Sequence, residues 1–197
     1  MIARQTQKFA FFDLAQTLAP GYFISSFNLF LTREYLKDRY EELLAYDEYL
    51  GKMRKSHEIS YNEIVDQIIA KLASLLEGQK VELIKKYARE YIKERQFFPY
   101  VEPLFKYLYS KGFSVNIITA DFDFVIETFL AKLPQGFKLF PSKMEVKDGV
   151  FTGKVELVHN SNFKLETIKK IENSIPSAFA VAFGDSQGDI PMRPQTK

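Results

Sequence analysis

Four separated stretches of the chain carry side chains that could do chemistry together. Asp13 follows the apolar run Phe9–Phe12, Thr119 ends a second apolar run, Lys164 opens a helical pattern, and the loop 184–189 contains two carboxylates. Carboxylates can hold a cation, while hydroxyl and ammonium groups can bind an anion. Each residue alone is typical of a turn, a strand or a solvated helix face, so only their joint arrangement points to a site.

Three strand-like apolar runs predict how the chain brings these residues together. The runs are Phe9–Leu14, Ser114–Ala120 and Ala178–Phe183, with helical patterns between them. Such alternation is typical of a parallel α/β sheet, in which ligands bind at the carboxyl ends of the strands. The sequence therefore predicts an α/β core whose strand ends carry the candidate residues.

A long helical segment separates the first and second strands. Residues 22–96 read as helix throughout, and Ser60 and Glu63 have the spacing of a capping box. Two prolines just beyond this segment indicate a return to the sheet, because proline disfavours helix at the residue before it. We therefore predict an α/β core formed by residues 1–21 and 97–197, with an all-helical cap inserted between them.

The segment Met144–Val155 carries the strongest hairpin signal in the chain. Its apolar and polar residues alternate on both sides of Asp148-Gly149. An Asp-Gly pair between two alternating runs is typical of a two-residue turn that joins antiparallel strands. We therefore expect a β-hairpin here.

Composition narrows the classes of partner and compartment. The chain has 197 residues with 27 Lys and Arg against 25 Asp and Glu, a balance that indicates neither nucleic acid nor an anionic membrane as partner. The absence of cysteine excludes disulfides and thiolate chemistry. The N-terminus lacks the apolar core of a signal peptide, and no apolar run reaches membrane-spanning length, so we expect a cytoplasmic protein without membrane insertion. The sequence does not indicate an oligomeric state.

The four stretches, in this order and on these strand ends, resemble the motifs of the haloacid dehalogenase superfamily of phosphohydrolases. Within it, Gly184-Asp185-Ser186 with Asp189, and the stretch 148–154, are similar to the branch that contains phosphoserine phosphatases. The resemblance covers nearly the whole chain, including the helical insertion after the first motif. It implies a Rossmann-like parallel core with a helical cap, and hydrolysis of a small-molecule phosphate ester.

The resemblance also implies a mechanism and a metal. Asp13 would attack phosphorus and form an aspartyl-phosphate, which water then hydrolyses. Mg²⁺ would be held by Asp13, Asp185 and the main-chain carbonyl of Ala15. Asp189 would complete the metal site by orienting metal-bound water.

Phosphate binding is implied for a second set of residues. Thr119 would supply a hydroxyl for a phosphoryl oxygen, with Ala120 beside it in the same phosphate site. Lys164 would offset charge on both the phosphate and the nucleophile. The backbone N–H groups after Asp13 would complete the anion site. Thr119 and Lys164 therefore count as both catalytic and phosphate-binding residues.

Ala15 departs from the family pattern. Active relatives have Asp two residues after the nucleophile, where it protonates the leaving oxygen and then activates water. Such proton transfer contributes about 10²–10⁴-fold, so we expect phosphate and Mg²⁺ to bind while turnover is very slow. The change from Asp is either natural decay or deliberate inactivation. The alternative function is a non-catalytic phosphate-ligand or protein-binding module, and a purely structural role for the charged loops ranks third.

Two further features of the sequence differ from the branch that contains phosphoserine phosphatases. Phosphoserine-specific members have Glu nine residues after the nucleophile, where this chain has Tyr22, so we do not expect phosphoserine as the substrate. Relatives also continue through another strand and helix after the fourth motif, and the segment Arg193–Lys197 is unlike that continuation. A truncated core or a frame-altered end would each give this sequence.

Overall fold

A five-stranded sheet forms the centre of the computed structural model, which describes residues 7–56, 58–158, 160–173 and 179–192. The strands are β1 (Lys8–Phe12), β2 (Phe113–Phe122), β3 (Lys138–Lys147), β4 (Val150–Leu157) and β5 (Phe179–Phe183). They lie side by side in the order β4-β3-β2-β1-β5. Among these five strands, β4 alone pairs antiparallel with its neighbour.

β1 lies in the interior of the sheet, which accounts for its apolar sequence. It pairs in parallel with β2 on one side and β5 on the other. Its side chains alternate between the two faces: Phe12 stacks on Phe183 at 4.5 Å between ring centroids, while Phe11 packs in a second cluster with Ile168. A strand covered on both faces is expected to be apolar throughout, and Phe11 and Phe12 are at most 1% exposed.

Seven α-helices surround or cover the sheet within the described residues. Their bounds are α1 (Phe23–Glu34), α2 (Tyr40–Lys55), α3 (Tyr61–Leu76), α4 (Val81–Ile92), α5 (Val101–Ser110), α6 (Asp123–Leu130) and α7 (Ser161–Asn173). We refer to α1–α4, which follow β1 and precede α5, as the cap. The predicted parallel α/β core with an inserted all-helical cap is confirmed, while the domain boundaries after residues 21 and 96 remain predictions. In the part of the chain described, no helix combines the length and the apolar character needed to cross a membrane.

The predicted hairpin is confirmed by β3 and β4. Lys147 lies opposite Val150, so the connection has two residues. Asp148 and Gly149 have φ angles of 51° and 76°. Positive φ at both positions is the type I′ turn, whose twist matches that of the flanking strands.

Several hydrogen bonds join the cap to the core. The N–H of Gly78, just after α3, donates to the carbonyl of Phe151 on β4 at 2.9 Å, and the N–H of Phe151 donates to the carbonyl of Gln79 at 3.0 Å. The two chain segments that flank the cap are also joined, because the Arg95 guanidinium, just after α4, donates to the carbonyl of Pro20, just before α1, at 2.9 Å. The cap is therefore attached to the core by these contacts as well as by the chain.

The start of α3 agrees with the sequence prediction, whereas β1 and β2 end at other residues than predicted. The capping box is confirmed, because Glu63 N–H donates to Ser60 Oγ and Ser60 N–H donates to the Glu63 carboxylate. β1 ends at Phe12, two residues earlier than expected, and β2 continues two residues past Ala120. Residue 178, the expected start of the third strand, lies outside the described residues.

Candidate active site

The turn after β1 presents the first candidate residues to a cavity. Asp13 is 7% exposed, and its N–H donates to the carbonyl of Phe183 at 3.0 Å, so the parallel pairing fixes its position. The chain then reverses sharply, because Leu18 N–H donates to the carbonyl of Leu14 at 2.8 Å. Gln16 lies within this turn at a φ of 60°. Both Asp13 and Ala15 line the cavity that results.

Lys164 lies between two carboxylates below this cavity. Its Nζ donates to Asp13 Oδ1 at 2.6 Å and to Asp189 Oδ1 at 2.7 Å, and the residue is 4% exposed. It sits in the first turn of α7, where the side chain of Asn160 accepts from the N–H of Asn162 at 3.2 Å and so caps the helix. The helix start therefore fixes the lysine at the carboxyl end of β1.

Burial and charge shift the pKa values of this group in opposite ways. Burial raises the pKa of Asp13 to about 7, although the Lys164 ammonium opposes that rise. Burial lowers the pKa of Lys164, but the carboxylates of Asp13 and Asp189 raise it more, so the net pKa lies above its usual value. The ammonium is therefore charged at neutral pH, and Asp13 is the titratable member of the pair.

The loop after β5 brings two more carboxylates to the same edge of the sheet. Asp189 Oδ2 accepts from the N–H of Ser186 at 3.1 Å and from its hydroxyl at 2.7 Å. Asp185 accepts from the Thr17 hydroxyl at 3.3 Å. The loop requires Gly184, because a Cβ there would lie 2.3 Å from the Cβ of Asp189.

These carboxylates fit a divalent cation. Asp13, Asp185 and Asp189 each offer an oxygen, and the three oxygens lie within 4.8 Å of one another. Three carboxylates against the single ammonium of Lys164 leave a negative group of hard oxygen donors, which Mg²⁺ prefers. Both oxygens of Asp189 already accept from protein donors, so this residue is better placed to orient a ligand than to bind the ion directly.

The phosphate-site candidates lie on an irregular stretch of β2. The register between β2 and β3 shifts between Ile118 and Phe122, so the regular ladder is interrupted at Thr119 and Ala120. Such bulges are common beside active sites, because they redirect side chains and release backbone groups from the ladder. Thr119 and Ala120 both line the cavity with Asp13 and Lys164.

Asp121 is a site residue that the sequence analysis missed. Its Oδ2 accepts from the Thr119 hydroxyl at 2.8 Å, and its Oδ1 accepts from the N–H of Ile24 in α1 at 3.2 Å. Burial raises its pKa to about 6, while the bonds from Thr119 and Ile24 oppose the rise. Asp121 therefore links the phosphate-site hydroxyl to the first turn of the cap. A carboxylate two residues after Thr119 was the available signal.

Tyr61 is the second residue that the sequence analysis missed. It begins α3, and its ring lies so close to Gly188 that a Cβ there would be 2.3 Å from the ring. Burial raises the pKa of Tyr61, so its hydroxyl is neutral at physiological pH. Two bonds hold α3 over α7: Asn160 donates to Asp66 at 3.1 Å, and Ser161 N–H donates to Asn62 at 3.2 Å.

One cavity of about 90 Å³ brings most of the candidates together. The sequence-predicted residues that line it are Asp13, Ala15, Thr119, Ala120, Lys164 and Asp185. Asp189 lies behind this surface and reaches it through Lys164 and Ser186. Tyr22, at the position expected to influence substrate choice, also lines the cavity and is 50% exposed.

The fold and site define an α/β protein with carboxylates at parallel strand ends beneath a helical cap. The family model of haloacid dehalogenase-like hydrolases matches residues 10–193, and the chain belongs to this family. No curated protein sequence matches the chain. The resemblance found in the motifs is therefore confirmed at the level of the family.

Solved structures agree with this assignment. A phosphoserine phosphatase, solved as a phospho-aspartyl intermediate analogue, matches with a TM-score of 0.64 and 26% identity over 95% of this chain and 82% of its own. A protein of unknown function from Bordetella pertussis Tohama I has a TM-score of 0.76 and 18% identity over 95% of this chain and 86% of its own. A hydrolase of the same family from Salmonella enterica serovar Typhi has a TM-score of 0.66 and 17% identity over 95% and 59% of the respective chains. The last two show the fold alone.

Proposed function

We propose that the chain is a Mg²⁺-dependent phosphomonoester hydrolase that acts through Asp13 and is impaired because residue 15 is alanine. The observation that carries the proposal is the buried Lys164, which contacts Asp13 and Asp189 beside a cavity at the strand ends. Burying three charged groups is expensive unless they pair closely, so a fold that keeps them beside a cavity is better explained by a ligand than by stability. Membership of a hydrolase family supports the same conclusion.

Phosphate would bind against the β2 bulge and the α7 terminus. The Thr119 hydroxyl and the backbone beside Ala120 would contact phosphoryl oxygens, and the Lys164 ammonium would offset their charge. Lys164 would also hold the Asp13 carboxylate in place, since their 2.6 Å contact leaves the carboxylate little freedom to rotate. These residues would therefore position the phosphorus atom in front of Asp13.

The carboxylates of Asp13 and Asp185 and the main-chain carbonyl of Ala15 would hold Mg²⁺. Asp189 would orient water next to the ion through its fixed carboxylate. When bound, the ion would offset phosphoryl charge and orient the group for in-line attack. The main-chain ligand does not depend on the side chain at position 15, so metal binding and turnover should separate.

With alanine at position 15, no side chain at that position can donate or accept the protons that the reaction requires. An oxygen of Asp13 would form a bond to phosphorus as the bond from phosphorus to the ester oxygen breaks, and the ester oxygen would leave with the electron pair. Ala15 cannot give that oxygen a proton, and it cannot take one from the water that later attacks the aspartyl-phosphate. Ala15 lines the cavity, so an aspartate in its place would face the reacting group.

Restoring the carboxylate tests the proposal. We expect Ala15→Asp to raise hydrolysis of phosphate monoesters by about 10²–10⁴-fold, the usual contribution of general acid–base catalysis. The gain should be smaller for 4-nitrophenyl phosphate, whose leaving group needs little protonation, and larger for an alkyl phosphate. Steady-state assays with Mg²⁺ would measure turnover, and calorimetry on the unmodified chain would measure Mg²⁺ binding.

Asp13→Asn in the restored protein is the control, because it removes the nucleophile and should abolish the recovered activity. If Ala15→Asp folds and binds Mg²⁺ but hydrolyses no ester in a broad panel, the alternative function is favoured. That alternative is a non-catalytic phosphate-ligand or protein-binding module, and the absence of a carboxyl group at Ala15 is the feature that supports it.

A further inference from the structure

The cavity has a second wall, formed by the cap, that the reaction does not use. We call this the cap wall, and its lining residues are Tyr22, Ile24, Ser25, Tyr61, Val65 and Ile68. None of these residues is an Asp, Glu, Lys, Arg or His, so the cap wall carries no ionic side chain. The opposite surface, which we call the core wall, contains Asp13, Lys164 and Asp185. Charge therefore lines the cavity on the core side alone.

Asp121 is a carboxylate of the cavity that contacts the cap wall directly, at the N–H of Ile24. Its oxygens already accept from the Thr119 hydroxyl and from the N–H of Ile24. A cationic group on a substrate would have to share a carboxylate that these donors occupy. An anionic group would find no cationic side chain among the described residues of the cap wall.

We infer that the substrates are monophosphate esters of uncharged alcohols with an apolar body, an inference that rests on the proposed function. The phosphate would lie on the core wall, and the leaving group would pack between Ile24, Val65 and Ile68. Apolar contact stabilises the complex in proportion to the apolar area removed from water. An unpaired ammonium or carboxylate in the same position would lose its hydration without gaining a partner.

The end of the cap wall at Ser25 and Ile68 limits the length of the leaving group that the cavity can hold. Ser25 and Ile68 line this cavity and also a second, smaller cavity of about 10 Å³ between α1, α2 and α3. That space lies beyond them and is bordered by Leu43 but also by the charged residues Asp47 and Lys71. Ile68 therefore separates the apolar cap wall from a partly charged space and limits the length of an apolar leaving group.

Three esters of similar length and leaving-group basicity test the inference. In the Ala15→Asp protein, kcat/KM would be measured for butyl phosphate, 4-aminobutyl phosphate and the phosphate ester of 4-hydroxybutyrate. We expect butyl phosphate to exceed both charged esters by at least about tenfold, because a buried polar mismatch discriminates strongly. Equal or better turnover of a charged ester would overturn the inference while leaving the hydrolase proposal intact.

Binding by the unmodified chain separates this inference from the proposed function. Calorimetry would compare butylphosphonate with 4-aminobutylphosphonate in the presence of Mg²⁺, since neither can be hydrolysed. Tighter binding of butylphosphonate is expected even if Ala15→Asp shows no turnover. Tighter binding of the amino compound that is lost in Asp121→Asn would assign Asp121 to cation recognition and overturn the inference. Binding of neither compound would overturn both proposals.

A charge placed in the cap wall should change the preference. Val65→Lys, made in the Ala15→Asp protein, is expected to raise kcat/KM for the 4-hydroxybutyrate ester relative to butyl phosphate by about tenfold. Leu83→Lys is the matched control, because Leu83 lies on α4 and is 38% exposed. Circular dichroism and thermal unfolding would establish that both variants fold. An unchanged preference in folded Val65→Lys would contradict contact between Val65 and the leaving group.

Discussion

The core wall and the cap wall of the cavity hold their side chains in place by different forces. On the core wall, Lys164 pairs with Asp13 and, behind the wall, with Asp189, and all three residues are at most 7% exposed, so removing Lys164 leaves two buried carboxylates without a cation. On the cap wall, apolar side chains such as Ile24 and Ile68 pack by shape, and such packing tolerates volume-conserving changes. Core-wall changes should therefore act on stability and phosphate binding, and cap-wall changes on preference among leaving groups.

The largest effect is expected when the buried cation is removed. Lys164→Met keeps the apolar part of the side chain but leaves the buried carboxylates of Asp13 and Asp189 without a cationic partner. Breaking a buried ion pair in this way lowers the free energy of unfolding by about 3–5 kcal/mol, and we expect a loss in that range at neutral pH. Urea unfolding monitored by circular dichroism would measure it.

Lys169→Met is the matched control for this variant, because Lys169 lies on the same helix but is exposed. It should change the free energy of unfolding by less than about 0.5 kcal/mol, as surface substitutions usually do. A loss below about 1 kcal/mol in Lys164→Met would contradict a buried role for the ammonium.

Asp121 should make stability depend on pH. Its pKa is raised to about 6 in the folded state, so the folded protein binds the proton more tightly than the unfolded chain does. This contribution to stability is present at low pH and is lost as pH rises through 6. The shift of about two pKa units corresponds to about 2–3 kcal/mol. Part of this loss occurs below pH 4.5, so between pH 4.5 and 7 the wild type should lose about 2 kcal/mol more than Asp121→Asn.

Urea unfolding of both proteins at the two pH values gives this difference directly. Burial also raises the pKa of Asp13, and the Asp121 charge is the smallest cause of that rise, so most of the further loss of stability with rising pH is common to both proteins and cancels in the comparison. Equal pH dependence in the two proteins would mean that Asp121 does not carry a raised pKa. The asparagine side chain can still accept from Ile24 N–H, so the cap contact itself should survive.

Gly188, in the loop after β5, packs closely against Tyr61 of the cap wall. A Cβ at this position would lie 2.3 Å from the Tyr61 ring, so Gly188→Ala must displace the tyrosine or the loop. Overpacking of this kind typically lowers the free energy of unfolding by about 1–3 kcal/mol. We also expect weaker phosphate binding, because the same loop carries Asp185 and Asp189.

Gly51→Ala is the matched control, since a Cβ there meets nothing within 4 Å and the residue lies within α2. It should raise stability by about 0.5–1 kcal/mol, because alanine is the better helix former. If Gly188→Ala were as stable as Gly51→Ala, the close contact with Tyr61 would be contradicted.

Local patterns predicted the elements of the fold because short-range interactions define them. The Asp148-Gly149 turn and the Ser60 and Glu63 capping box each need only neighbouring residues, and both are confirmed. Family resemblance supplied most of the candidate residues, which the fold brings to one cavity. Asp121 and Tyr61 were missed because their positions depend on a bulge in β2 and on how α3 lies over the loop after β5. The contacts of Asp121 with Ile24 and of Tyr61 with Gly188 join residues far apart in the sequence, so the only local signal was the carboxylate two residues after Thr119.

The smallest effect is expected at Ser60, where the cap can be weakened without touching the core wall. The Ser60 side chain accepts from Glu63 N–H at 3.3 Å, and removing such a cap costs about 1 kcal/mol. Ser60→Ala should lower the free energy of unfolding by that amount, measured by urea, while Mg²⁺ affinity stays within about twofold because the carboxylates of the core wall remain paired. Ser74→Ala, on the same helix, removes only a bond from Ser74 Oγ to the Lys71 carbonyl and should be nearly neutral. A large fall in Mg²⁺ affinity in Ser60→Ala would show that the two walls are energetically coupled, since the start of α3 would then help to set the geometry of the carboxylates as well as the position of Tyr61.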